Sequence, residues 1–215
     1  MSIQRAIADI RTDYSLKTLD ESVIAPDAID QFTTWWNEAI DSEIEEANVT
    51  TVATATKDGI PDARIILLKS YDKKGFVFFT NYNSVKAQEL AENPKASMIF
   101  FWKELQRQVR VFGTVEKISA ADNDEYFNSR PEGSRIGAWA SPQSHVIADR
   151  TILDQKIEAV KAEFAGKPIP RPEFWGGYLI KPETVEFWQG RSSRLHDRIK
   201  YTRQNNNWKI ERLAP

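Results

Sequence analysis

At 215 residues, with 41% hydrophobic side chains and a formal net charge of −2, the chain is long enough for a substantial core and has no global excess of positive charge, so nucleic acid is not an expected partner. It has no cysteine and two histidines, which excludes disulfides, thiolate catalysis and cysteine zinc sites and makes a histidine-rich metal site an unsuitable reading; no metal is expected. No apolar run approaches the ~20 residues of a membrane helix and the N-terminal stretch lacks a signal-peptide apolar region, so a soluble cytoplasmic protein with no membrane partner is expected.

Residues 1–25 are polar and read as a short helix and an arm ahead of a single domain over 26–215. A helix is expected over 27–48, where Ile29, Phe32, Trp36, Ala39 and Ile40 recur at spacings of three and four behind Pro26. The pattern then changes to strands over 49–56, 63–71 and 76–81, with turns at Asp58-Gly59 and through Lys73, Lys74 and Gly75, an antiparallel meander. A helix over 84–92 stops at Pro94, strands follow over 96–103 and 107–118, and helices over 120–128 and 147–164. Pro168, Pro170 and Pro172 stiffen the link to the last strands, over 177–188, 195–204 and 208–213. Eight or so strands with short hairpins and few helices imply a mainly β fold with peripheral helices, an antiparallel barrel.

Four segments carry candidate chemistry. Arg64 and Lys69 end an apolar strand at an odd offset, which sends their side chains to opposite faces about 16 Å apart and assigns them to different anions, unless both simply snorkel to water. Lys86 stands in the first turn of a helix that Asn83 or Ser84 can cap; a cation there opposes the helix dipole unless an anion lies nearby. Tyr126 and Arg130, four apart at a helix end, and Ser134 in the following turn can jointly hold a phosphate, although Arg130 can equally cap helix carbonyls. If 194–198 is extended, Arg194, His196 and Arg198 share one face and Leu195 and Asp197 the other, so Asp197 is poorly placed to relay protons with His196.

The motifs RIILLK at 64–69, NSVKAQELAENP at 83–94, RQVRVFG at 107–113, YFNSRPEGSRIGAW at 126–139, FWGGY at 174–178 and VEFWQGRSSRLHDR at 185–198, with ERLAP at the end, run in order over nearly the whole chain. Together they closely resemble the pyridoxamine 5'-phosphate oxidase family. That resemblance implies a homodimer of FMN-binding split β-barrels with flavin mononucleotide (FMN) at the subunit interface. It also implies oxidation of pyridoxine or pyridoxamine 5'-phosphate by O2 to pyridoxal 5'-phosphate, with hydrogen peroxide released, and ammonia from the amine.

By the same resemblance the cofactor would contact Arg64, Ile65, Ile66, Leu67, Leu68, Lys69, Phe79, Thr80, Lys86, Gln108, Gln143, Ser144, Trp188 and Arg198. The substrate phosphate would meet Lys69, Tyr126, Arg130 and Ser134. Arg194 and His196, the residues assigned to catalysis, would lie over the pyridine ring, and Arg11 and Tyr14 would come from residues 1–25 as a lid. One departure stands out: where the family commonly has two adjacent cations after the serine, this chain has Val85 before Lys86, which implies weaker flavin retention. The competing readings are a different flavin-dependent split-barrel oxidoreductase, which the Tyr126, Arg130 and Ser134 set disfavours, and a non-catalytic carrier of flavin or pyridoxal phosphate, which Arg194 and His196 disfavour.

Overall fold

The protein is described by a computed structural model over residues 12–215. In chain order its elements are α1 (Ala28–Asp41), β1 (Val49–Ala55), β2 (Pro61–Leu67), β3 (Ser70–Asp72), β4 (Gly75–Asn81), α2 (Val85–Glu92), β5 (Lys95–Trp102), β6 (Arg107–Lys117), α3 (Ala120–Ser129), α4 (Glu132–Ala140), α5 (Thr151–Glu163), β7 (Trp175–Gln189), β8 (Asp197–Gln204) and β9 (Asn207–Leu213). Strand pairing runs β2-β1-β5-β6-β7-β4-β3, with β8 on β7 and β9 on β8. The β1–β2, β3–β4, β4–β7, β7–β8 and β8–β9 ladders are antiparallel, so the mainly β, antiparallel class expected from the strand pattern is the one observed.

The chain divides into two compact units that interleave along the sequence. One takes the residues up to Ala47, Ile99–Val111 and Glu183–Pro215. Its helix α1 starts at Asp27, whose carboxylate accepts the Ile29 and Asp30 amides, an N-cap that satisfies otherwise orphaned donors. The buried face of α1 sets Phe32 against Phe100 and Trp102, and Trp35 edge-on to Phe187. The helix ends at Asp41, short of the expected 48, because Glu43 and Glu46 take left-handed backbone angles that a right-handed helix does not admit.

The other unit takes Asn48–Met98 and Phe112–Pro182. In β1 burial alternates residue by residue, the period of a strand with one covered face. The single strand expected over 63–71 is broken: Leu67 pairs with Val49 of β1, whereas Ser70 pairs with Val77 of β4. The chain changes partner at Leu68 and Lys69, whose amides donate to Asn48 and Val77 carbonyls. A second difference is α4, expected as a turn. Pro131 precedes its first residue and Ile136 and Ala140 bury into a cluster with Phe127, Val160, Ile169 and Trp175, so tertiary burial outweighs the poor helix propensity of Gly133 and Gly137.

Candidate active site

The break at Leu68–Lys69 falls between Arg64 and Lys69, and both residues line one hollow of about 830 Å³. Ile65, Ile66, Leu67, Phe79, Thr80, Lys86, Tyr126, Arg130, Ser134, Gln143 and Ser144 line it too. Leu68 is buried and, like Gln108 on β6, does not line it.

At one end Lys86 is only 7% exposed, and its Nζ donates to Thr80 Oγ1 (3.0 Å) and Ser84 Oγ (3.5 Å). Burial, and after it the Arg64 charge, pushes its ammonium below the usual lysine range, the mark of a cation short of anionic partners. Ser84 occupies the N-cap position of α2, but its hydroxyl donates to the Asn81 carbonyl (2.7 Å) and caps no amide. The first amides of α2 therefore lack a side-chain acceptor next to a buried cation, and an anion supplies what both need. Arg64 donates to Thr54 Oγ1, to Asp62 (2.5 Å) and to Glu89 (3.3 Å).

A second candidate anion site lies where α3 meets α4. Tyr126 stacks on Phe79 at 3.9 Å between ring centroids, and Trp175 continues the stack. Arg130 lies with its guanidinium 4.5 Å above Trp175. Its Nη1 is buried and makes no hydrogen bond, so it does not cap the carbonyls of α3. Burial holds the guanidinium below its ordinary pKa. An orphaned donor of this kind costs about 1–3 kcal/mol until an acceptor arrives. Ser134 stands in the first turn of α4, not in a turn, and is exposed beside it. Trp175 was not among the expected site residues. Its signal was the FWGGY motif: a Cβ on Gly176 would meet Tyr82 at 2.2 Å and one on Gly177 would meet Phe79 at 3.0 Å, so these glycines let rings crowd the strand start.

In the other unit, Thr12, Asp13, Tyr14, Arg191, Ser193, Arg194 and His196 line a hollow of about 410 Å³. The extended row expected from Arg194 to Arg198 is not present. Ser192–Arg194 forms a 3-10 turn with Ser193 and Arg194 at φ 57° and 61°, and β8 starts only at Asp197. The Arg191 amide closes this loop by donating to His196 Nδ1 (3.1 Å). With Nδ1 accepting, the neutral ring carries its proton on Nε2. Burial and the neighbouring Arg194 charge keep His196 below its ordinary pKa, which favours that neutral form.

Trp188 packs 4.5 Å from the His196 ring, and Tyr14 lies near both. Arg198 donates to Glu186 (2.9 Å) and to the Ala214 carbonyl (2.9 Å) and does not line this hollow. Asp197 accepts the Leu19 amide, Arg191 and Arg212 at 2.9–3.1 Å. It ties the segment bearing Tyr14 to the loop bearing His196, a role unseen in sequence. Arg11 lies outside the described residues. Among the described residues no cluster of His, Asp and Glu is arranged to hold a metal, and no helix is long and apolar enough to cross a membrane.

A family model described as pyridoxamine 5'-phosphate oxidase matches residues 36–164, and one described as the pyridoxine 5'-phosphate oxidase C-terminal dimerisation region matches residues 175–215. A pyridoxine/pyridoxamine 5'-phosphate oxidase of Nostoc sp. is 51% identical over 99% of this chain and 100% of its own length. One from Thermosynechococcus vestitus is 54% identical over 97% of this chain and 99% of its own. Among solved structures, PhzG from Burkholderia lata 383, in complex with tetrahydrophenazine-1-carboxylic acid, matches with a TM-score of 0.87 at 31% identity, covering 94% of this chain and 100% of that one. A pyridoxamine 5'-phosphate oxidase-related, FMN binding protein from Nostoc punctiforme shares the fold, with a TM-score of 0.70 at 16% identity over 89% of this chain and 100% of that one.

Proposed function

The chain belongs to the pyridoxamine 5'-phosphate oxidase family, and on that premise we propose that it oxidises pyridoxine or pyridoxamine 5'-phosphate to pyridoxal 5'-phosphate in the cytoplasm. The observation that carries this reading is the pair of anion sites in one hollow: Lys86 and Arg64 at one end, and Arg130, with its unpartnered Nη1, beside Tyr126, Ser134 and Lys69. Two phosphorylated molecules, a cofactor and a substrate, satisfy both.

FMN is the cofactor of this proposal. The uncapped amides of α2, buried Lys86 and Arg64 fit its phosphate, and the lining from Ile65 to Leu67 with Thr80, Gln143 and Ser144 fits its remaining bulk. Bound there, it supplies the hydride acceptor and the route by which O2 becomes peroxide. Everything else falls to the chain. Lys69, Tyr126, Arg130 and Ser134 hold the substrate phosphate by charge-assisted bonds and so set the position of the carbon to be oxidised. Arg194 and His196 face the substrate ring. Because His196 Nδ1 already accepts an amide proton, neutral His196 acts as a hydrogen-bond donor through Nε2 and does not take up the substrate's proton.

Trp188 and Arg198 complete the cofactor's surroundings in this proposal. Tyr14 covers the ring, and the assembly is a homodimer with FMN at the subunit interface. The match to a dimerisation region over residues 175–215 supports the dimer.

A second reading rests on PhzG, whose bound ligand is a carboxylic acid named without a phosphate. The Arg130 site favours a phosphorylated substrate for this chain. Adding pyridoxine 5'-phosphate to the FMN-loaded protein in air is the deciding experiment: peroxide and pyridoxal 5'-phosphate should appear together. Bound flavin without peroxide defeats the oxidase reading, and peroxide from an unphosphorylated analogue alone favours the second.

A further inference from the structure

Arg64, at the proposed flavin-phosphate end of the hollow, is paired with two carboxylates that this task does not call for. Asp62 lies 2.5 Å from Arg64, and Glu89, only 7% exposed, lies 3.3 Å from the same guanidinium and accepts the Thr54 hydroxyl. Glu89 is on α2 one turn after Lys86 and does not line the hollow. It stands behind Arg64 instead. The local charge is therefore two cations against two carboxylates, a sum of zero at a place where a phosphate dianion is to be held.

Val85 deepens the deficit, since it lines the hollow where a further cation would fit. Without Glu89 and Asp62, however, buried Lys86 and part-buried Arg64 would be left with no counter-charge. Burial and Arg64 lower the Lys86 pKa, while Asp62 and Glu89 pull it back up.

We infer that Glu89, assisted by Asp62, is a built-in counter-ion that stands in for the cofactor phosphate, stabilising the flavin-free chain and weakening its hold on FMN. This rests on the flavin reading above. The two effects have opposite signs, and that separates the inference from mere structural damage. Removing the buried charge as Glu89→Gln keeps the Thr54 contact possible, leaves Arg64 and Lys86 short of an anion, and makes phosphate a better partner for both.

Titrations with FMN and with riboflavin, which lacks the phosphate, read the effect by flavin fluorescence. Thermal unfolding of the flavin-free protein reads the other half. Glu89→Gln should tighten FMN at least about fivefold, leave riboflavin unchanged and lower the flavin-free unfolding midpoint. Asp62→Asn, at an exposed site, should do the same to a smaller degree, and it decides the matter if Glu89→Gln does not fold. An FMN affinity that stays the same or weakens in the folded variants overturns the inference, as does an equal shift for riboflavin. Wild-type protein that binds neither flavin overturns the flavin reading and the inference together, whereas wild-type binding without tightening in the variants overturns the inference alone.

Discussion

In the proposed function Arg130 is the residue on which substrate choice turns, because its Nη1 is buried and makes no hydrogen bond. A charge-assisted hydrogen bond is worth about 1.5–3 kcal/mol. Arg130→Gln should therefore raise KM for pyridoxine 5'-phosphate roughly tenfold or more and leave the FMN dissociation constant unchanged; an unchanged KM would remove Arg130 from the phosphate site. Val85 makes the opposite case at the other anion site. It is exposed at the hollow's edge next to Lys86, so Val85→Arg should tighten FMN roughly tenfold by the same bond energy, and a flat fluorescence titration would count against this. For His196, the fold lowers the pKa through burial and Arg194, so the unfolded chain takes the proton at higher pH. The stability tied to the neutral ring is thus present above the ordinary value near 6.5 and is lost as pH falls through the folded value. An NMR titration should place the His196 midpoint below 6.5, and a midpoint at or above it would contradict the assigned hydrogen bond.

At the scale of elements, the segment 12–21 and the loop 190–197 behave as one piece. Asp197 links them through Leu19, Arg191 and Arg212, Ser192 donates to Asp13 (2.9 Å), and a Cβ on Gly190 would sit 2.4 Å from Tyr14. Burial raises the Asp197 pKa, but the Leu19 amide and the two guanidiniums outweigh it and hold the carboxyl below the usual range. Asp197→Asn should expose residues 12–21 to limited proteolysis; an unchanged cleavage rate would show that Asp197 is not the tie.

Much of this was legible in advance and some was not, for identifiable reasons. Alternation such as that of β1 survives in the sequence because one covered face dictates it. The partner change at Leu68–Lys69 left no glycine or proline to mark it, being decided by where β1 and β4 lie. The left-handed turn before His196 is made by Ser193 and Arg194, not by glycine, so the extended reading of 194–198 had no local signal against it. That Tyr126 and Arg130 come together was readable because they stand four apart in one motif, whereas Glu89 and Asp197 bond to Arg64 and Leu19, far away in sequence.

For the molecule as a whole, the proposed dimer predicts a sedimenting species of about twice the 24.7 kDa chain mass, with activity that falls on dilution; a fully active monomer would contradict it. Oxidase chemistry remains the central claim, and anaerobic spectroscopy tests it most directly. When pyridoxamine 5'-phosphate is added without oxygen to the FMN-loaded protein, the flavin's visible absorption band should bleach and pyridoxal 5'-phosphate should form, and admitting air should restore the band with release of peroxide. A band that stays unchanged while flavin and substrate are both bound would contradict the account.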